Sequence, residues 1–496
     1  MSSTSLLEAP APSSAAEEAD NAPDPRRFRA LAVIAIAQLM IVLDASVVTI
    51  ALPSAQRALH ISVANRQWVL TAYTLAFGGL LLLGGRIADY LGRKRTLVFS
   101  LLGFAGASAL GGLAQNSAML FGARALQGAF AALMAPAALS LITVTFTEPK
   151  ERARAFGVYG AVAGGGAAIG LVLGGLLTEF ASWRWTLLIN APIAIVTAFA
   201  AQREVRESRA EGERHYDLWG AAAVTAGLLS LVYGFTRAQI DGWSAPVTLG
   251  LLGAAVILLA AFVVIELNAE APLLPMRVIL DSNRGGSYLA SLLVGIGMFG
   301  TFLFLTYYLQ GTLHYSALKS GFAFLPFAGG IIFAATAASQ LLPRVGPRVL
   351  MGIGIAMAAL GLGWFTQIGV HTTYVAHVLP AELVVSIGLG LAFVPMSSTA
   401  LIGVGRHDAG VASALVNTTQ QVGGALGTAL LNTIAASATA SYIVAHGAHS
   451  IATGAVHGYS TGFTYSAVIL AGAALVAVAL VRASRRDLPA EGALFS

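Results

Sequence analysis

Two ionisable residues of this chain stand where ionisable residues are costly. Asp44 lies in Leu43-Asp44-Ala45-Ser46-Val47-Val48-Thr49-Ile50-Ala51-Leu52-Pro53, within one apolar run, and Arg124 lies in another, in Arg124-Ala125-Leu126-Gln127-Gly128. A carboxylate near the centre of a membrane-crossing helix costs about 2.5–3.5 kcal/mol on insertion scales, so it is seldom kept without a partner or a role. At the helical rise, Asp44 falls about 12 Å and Arg124 about 10 Å below the same face of the bilayer. The matching depth points to one of two arrangements. Either Asp44 exchanges a proton under the influence of the guanidinium, because a cation favours the ionised form while desolvation opposes it, or the two form a permanent ion pair that fixes packing.

Other positions carry weaker chemistry. In Gly85-Arg86-Ile87-Ala88-Asp89-Tyr90-Leu91-Gly92-Arg93-Lys94-Arg95 an aspartate sits between glycines ahead of a basic cluster. A basic loop alone orients helices across a bilayer, which leaves Asp89 unexplained; a carboxylate is favourable at a positive helix end. Gly170, Gly174 and Gly175 close the stretch from 164 to 175, and the Gly170–Gly174 spacing lets helices approach closely. Tyr73, Gln127, Tyr307, Gln310, Asn417 and Gln420 either line a substrate cavity or hydrogen-bond between helices. Glu382 is a second candidate proton site, or a side chain snorkelling to the interface. Histidines gather in loops and helix ends; His446 and His449 have helical i, i+3 spacing, but no acidic or cysteine ligand accompanies them, so no metal is expected.

The elements that must position these residues are membrane helices. Of 496 residues 57% are hydrophobic and only 10% charged, where soluble proteins carry about 25% charged residues. Without cysteine there is no disulfide, thiolate metal site or cysteine nucleophile. Fourteen continuously apolar runs read as helices, near 30–52, 68–88, 96–113, 118–142, 155–177, 186–201, 218–236, 246–266, 286–309, 319–341, 348–368, 379–402, 411–437 and 462–482. Barrel strands would alternate polar and apolar residues instead. With both termini in the cytoplasm, 21 of the 28 basic residues fall inside and five outside, the bias expected of cytoplasmic loops. That placement also accounts for the net charge of +5 without a nucleic-acid partner.

The predicted organisation is a disordered cytoplasmic tail (1–25), a six-helix bundle (26–201), a central helix pair with its cytoplasmic loops (202–285), a second six-helix bundle (286–482) and a cytoplasmic tail (483–496). A weak repeat supports the two halves, because one offset lays Gly92 on Gly346 and Gly170 on Gly424. Parallel repeats are a transporter arrangement with the substrate site between halves.

The Gly85–Arg95 segment is similar to the signature loop of the major facilitator superfamily. The Asp44 segment looks like the helix-one motif of its fourteen-helix drug:proton antiporter branch, with Thr49 where asparagine is usual, and Arg124–Gly128 resembles the helix-four motif. Trp183-Arg184-Trp185-Thr186-Leu187-Leu188-Ile189-Asn190-Ala191-Pro192 and Asn417-Thr418-Thr419-Gln420-Gln421-Val422-Gly423-Gly424-Ala425-Leu426-Gly427 also look like that branch. The resemblance implies the major facilitator fold and proton coupling by Asp44 and Arg124. It implies that Asp89, with Gly85, Gly92, Arg93 and Arg95, braces the inward-closed gate against the start of the thirteenth helix near Val411, with Arg152 or Arg154 as the cation. One departure stands out: Leu171 replaces the proline of the helix-five antiporter signature, and with it a proline-linked bend.

The expected protein is therefore a multi-pass transporter of the cytoplasmic membrane, exporting amphipathic drugs or related small molecules in exchange for protons. Its partners are substrate, protons and lipid, it uses no cofactor, and a monomer is expected. The alternative is a proton-coupled importer or exporter of one metabolite. No Gly-x4-Gly-Lys-Ser/Thr phosphate loop is present for a primary pump, and no cluster of histidines and carboxylates suggests an enzyme.

Overall fold

A computed structural model describes residues 26–146, 148–209, 217–269, 272–274, 276–404, 409–484 and 487, with no strand among them. Its long helices are α1 (Arg27–Ala58), α2 (Trp68–Leu91), α3 (Arg93–Gly112), α4 (Ser117–Thr145), α5 (Pro149–Phe180), α6 (Asn190–Glu204), α7 (Leu218–Asp241), α8 (Pro246–Asn268), α9 (Ser282–Tyr307), α10 (Leu325–Val345), α11 (Pro347–Phe365), α12 (Leu379–Thr399), α13 (Ala409–His446) and α14 (Ile451–Leu480). The expected tail over 1–25 lies outside the described residues, as does most of 483–496. The runs predicted at 186–201 and 319–341 are each broken into a short helix and a long one, at Ile189 and Phe324, and the other differences fall at helix ends. α5 begins at Pro149, where the missing amide costs nothing, and α14 begins at Ile451, because helix continues past the window in which composition is purely apolar.

Among the described residues, twelve helical spans are long and apolar enough to cross a membrane in one piece. α2 adds a thirteenth, bent by 56° between Leu81 and Leu83, and the apolar part of α5, Gly165–Phe180, is shorter. α2 contains no proline, and the pairs Gly78-Gly79 and Gly84-Gly85 flank its bend, a known source of kinks. α5, with Leu171 in place of proline, is one unbroken helix.

Helix pairing repeats across the chain. α1 packs on α5, α2 on α4, and α3 on α4 and α6; correspondingly α9 packs on α13, α10 on α12, and α11 on α12 and α14. The offset read in the sequence coincides with this repeat: Gly92 (φ 112°) precedes α3 and Gly346 (φ 87°) precedes α11, both in a conformation that side chains disfavour. The halves meet where α2 packs on α13 and where α5 meets α10 and the short helix Ala317–Ala323. The hairpin of α7 and α8 leans on this junction, α7 touching α2 and α13. At the end of the molecule where α1 begins and α14 finishes, Arg26 donates to the Arg203 carbonyl and the Asn283 side chain accepts from the Arg482 and Ala483 amides. That end is called proximal below, and the opposite one, with the α1–α2 turn, distal.

Candidate functional site

The first half of the molecule closes around Asp44, which is wholly buried midway along α1. Its Oδ2 accepts from Arg124 Nη1. Its Oδ1 accepts from Gln127 Nε2 at 2.8 Å and from Asn190 Nδ2 at 2.9 Å. Arg124 and Gln127 reach it together because residues three apart share a helix face. Arg124 is itself wholly buried: Nε donates to the Val69 carbonyl at 2.9 Å, Nη1 to Gln127 Oε1 at 3.0 Å, and the guanidinium lies 4.5 Å from the Tyr73 ring centroid. Gln127 Nε2 also donates to Ser108 Oγ at 2.8 Å. Side chains or backbone of α1, α2, α3, α4 and α6 thus converge on one carboxylate. Charge-assisted hydrogen bonds of this kind are about twice as strong as neutral ones. Capacity remains unused, since the buried Arg124 Nη2 and Tyr73 hydroxyl have no hydrogen-bond partner among the described residues.

Tyr73 and Gln127, read as either cavity-lining or interhelical hydrogen-bonding residues, are members of the Asp44 cluster. Asn190 and Ser108 were not singled out by sequence. Asn190 is 146 residues from Asp44, and no periodicity links them; its place at the first residue of α6 brings it in.

At the proximal end, Arg93 donates to Asp89 Oδ1 through Nη2 at 2.8 Å and Nε at 3.1 Å, an i, i+4 pair, and Arg154 is exposed on α5. The side chains of Arg152 and Val411 lie outside the described residues. The start of α3 is capped by Glu207, which accepts from the Lys94 amide at 3.1 Å and the Arg95 amide at 3.3 Å, with the Arg95 side chain 3.6 Å away. Sequence had given Glu207 no role, since it stands on the loop after α6. Gly85 faces Pro136 of α4, whose Cβ would lie 3.6 Å from an added methyl.

The α5 glycines divide between two contacts. A Cβ on Gly170 would strike Ser46 Oγ, and one on Gly174 would sit 2.7 Å from the Val47 carbonyl oxygen, so both seat α5 against the turn of α1 that follows Asp44. A Cβ on Gly175 would lie 2.6 Å from Leu318 Cα, in the other half. Leu171 is buried, and its carbonyl faces Gly321.

More contacts between the halves gather distally. Arg66, in the turn between α1 and α2, is buried; it donates to Asn432 Oδ1 at 3.1 Å and stands 4.0 Å over the Tyr307 ring. Tyr307 donates to Gln56, Gln310 donates to the Ile50 carbonyl at 2.9 Å, and Glu179 accepts from the Leu318 amide at 2.9 Å. Tyr307 and Gln310 thus belong to a distal seal, beside a pocket of about 450 Å³ lined also by Pro53, Gln56, Arg57 and His60. Asn417 is exposed on α13 and Gln420 half-buried, while Gln421 is the residue that meets Gly78 of α2. Glu382 is wholly buried, which overturns snorkelling. No group of three metal-ligating side chains occurs among the described residues.

Paired six-helix halves, the first of them closed around a buried ion pair, in a chain of membrane-crossing helices, define a polytopic transporter. The Major Facilitator Superfamily model matches residues 34–428, and the chain belongs to that family. The puromycin resistance protein pur8 of Streptomyces alboniger is 49% identical over 464 residues, covering 92% of each chain. The cephamycin export protein CmcT of Amycolatopsis lactamdurans is 41% identical over 414 residues, covering 83% of this chain and 85% of that one. Among solved structures, a bacterial homologue of the human lysosomal transporter Spinster aligns with a TM-score of 0.68 at 15% identity, over 95% of this chain and 100% of that one, and shares its fold.

Proposed function

We propose that this transporter exports amphipathic small molecules, antibiotics of the kind named for its relatives among them, in exchange for protons. The observation that carries the reading is the Asp44 carboxylate, wholly buried and held by Arg124, Gln127 and Asn190. Its three donors, one of them a cation, favour the ionised form in this arrangement. A proton on Asp44 would remove the counter-charge of Arg124 and one acceptor from the amides, so protonation loosens α1 from α4 and α6. A group whose charge state changes helix packing is a suitable coupling device for alternating access.

In this reading the proximal end faces the cytoplasm, as the basic residues favour, and the distal seal is the outer gate, closed here. Asp44 takes a proton from outside in the opposite state and releases it inside, where substrate replaces it. The Gly85–Arg95 loop, with Arg152 and Arg154 of α5, is the inner gate; its Asp89–Arg93 pair is free to exchange partners when that gate shuts. The halves swing as units over 26–201 and 286–482, with α7 and α8 between, and the protein acts as a monomer. The cavity between the halves is lined from α13 by Asn417 and Gln420.

The test is transport of puromycin in inverted vesicles with an imposed pH gradient. Accumulation that a protonophore abolishes is expected; uptake only in right-side-out vesicles would make the protein an importer. Asp44→Asn is expected to abolish proton exchange, and normal exchange by that variant would remove Asp44 from the mechanism.

A further inference from the structure

Glu382, in the first turn of α12, is a buried acid that the Asp44 mechanism does not use. The side chain that meets it is Tyr374, whose hydroxyl lies 3.1 Å from Glu382 Oε2 and 2.6 Å from the Ala323 carbonyl oxygen. Glu382 Oε1 is buried, and the Phe327 backbone amide, in the first turn of α10, is the other donor that reaches the carboxyl. A phenol has one proton and cannot donate to both acceptors. An ionised Glu382 would take that proton and leave the Ala323 carbonyl unserved. A protonated Glu382 donates to the Tyr374 oxygen, and Tyr374 then donates to Ala323, so both bonds form.

Among the described residues, the cations of the helices packed on α12 lie away from Glu382. α10, α11 and α9 carry Arg344, Arg348 and Arg284 at their proximal ends, and the titratable groups of α13 are Tyr442 and His446 in its last turns. Near Tyr374 stand Tyr315, with ring centroids 6.3 Å apart, and Lys319, engaged 3.8 Å over the Tyr315 ring. His377 shares the turn Tyr374–Val378, with Nδ1 buried and unpartnered.

Ala323 ends the short helix Ala317–Ala323, the element of the second half that docks on α5. That docking is the Gly321–Leu171 and Gly175–Leu318 contact and the Leu318–Glu179 hydrogen bond. Glu382 is therefore one tyrosine away from the distal seal. The repeat sharpens this placement: the offset that lays Gly92 on Gly346 also lays Tyr73 on Phe327 and Gly128 on Glu382. In the first half Gly128 packs on the Tyr73 backbone at the edge of the Asp44 cluster; the second half puts an acid at the equivalent place.

We propose that Glu382 is a second proton-binding site, and that its proton holds the distal seal shut through Tyr374 and Ala323. When the proton dissociates to water, the Tyr374 hydroxyl turns to the carboxylate, the Ala323 carbonyl loses its donor and the Ala317–Ala323 segment loosens from α5. A proton arriving from outside would then close the outer gate, which deepens the export reading above and rests on its assignment of that gate.

The chain has no cysteine, so spin labels at Phe180→Cys on α5 and Ile451→Cys on α14, both exposed at the distal end, report the separation of the halves. Distances are measured against pH in liposomes, without substrate, in the Asp44→Asn background. The ratio of separated to closed distal ends is expected to rise with pH, by at most about tenfold per pH unit for one proton. Glu382→Gln, which keeps the donor to Tyr374, should stay closed at every pH; Tyr374→Phe should be more open and indifferent to pH. Infrared spectra of the otherwise wild-type protein should lose a protonated-carboxyl band in Glu382→Gln. A wild-type pH response in Glu382→Gln, no pH response in the parent, or no lost band overturns the proposal. Because no substrate or gradient enters the measurement, proton exchange surviving Asp44→Asn would defeat the export mechanism and leave this result to stand or fall separately.

Discussion

Gly174 and Gly175 are neighbours on α5, yet a methyl group on each should do different things. On Gly174 it would lie 2.7 Å from the Val47 carbonyl oxygen, within the first half. On Gly175 it would lie 2.6 Å from Leu318 Cα and 2.8 Å from the Ala317 carbonyl oxygen, across the two halves. Both contacts are with backbone, which cannot rotate away, and relieving them requires movement of about 1 Å toward ordinary carbon contact. Overpacking of this size costs about 1–3 kcal/mol. For Gly174→Ala the strain is present whichever end is open, so it appears as lost stability. For Gly175→Ala it is relieved when the halves part distally, so it appears as a shift of about 5–150-fold toward the distally open state. The Phe180–Ile451 distance distribution, together with thermal unfolding, separates the two. Equal loss of stability in both variants with unchanged distances would refute the view that the Gly175 contact belongs to one state only.

Arg124→Gln leaves Asp44 buried without its counter-charge, a change of about 3–5 kcal/mol for a buried pair; the double variant with Asp44→Asn should recover much of it, and additive losses in unfolding experiments would show the two to be uncoupled. Gly92→Ala forces a side chain onto a residue with φ 112° and 2.6 Å from Glu207 Oε1, so it should cost about 1–3 kcal/mol from backbone conformation alone; an unchanged unfolding temperature would contradict this. At the proximal end, the hydrogen bond from Arg27 holds the Glu151 carboxyl below the ordinary carboxylate range. A depressed acid contributes stability in full above its unfolded value and loses it only as pH falls through the lower folded value. Glu151→Gln should therefore leave the pH profile of transport unchanged near neutrality, and a displaced profile would show that this pair takes part in coupling.

Much of this protein was legible in its sequence because a bilayer imposes simple rules. Apolar runs of sufficient length must be helices, and the fourteen predicted runs all contain one. The costliest residues, Asp44 and Arg124, could be picked out singly, and helical rise set them at one depth. The gap between Gly92 and Gly346 betrayed the repeat, since a positive φ ahead of a helix requires glycine in both copies.

Partnership was another matter. Whether Asp44 also gathers Asn190 and Gln127, whether Arg66 is exposed or buried against Tyr307, and whether Asp89 pairs with Arg93 or with α5 depend on which helix faces meet. Those rotations are set by close approach at residues such as Gly128 and Gly174, between segments far apart in the chain. Glu382 shows the limit best. Its sequence position alone allowed either an interfacial side chain or a proton site, and the burial and the Tyr374–Ala323 hydrogen bonds that separate them arise only when α12 packs against α10 and α11. The sequence by itself determined where charge is scarce and how the helices run; the tertiary structure alone decided which charges and hydroxyls share a proton, because hydrogen bonds depend on distances that hydropathy and periodicity do not encode.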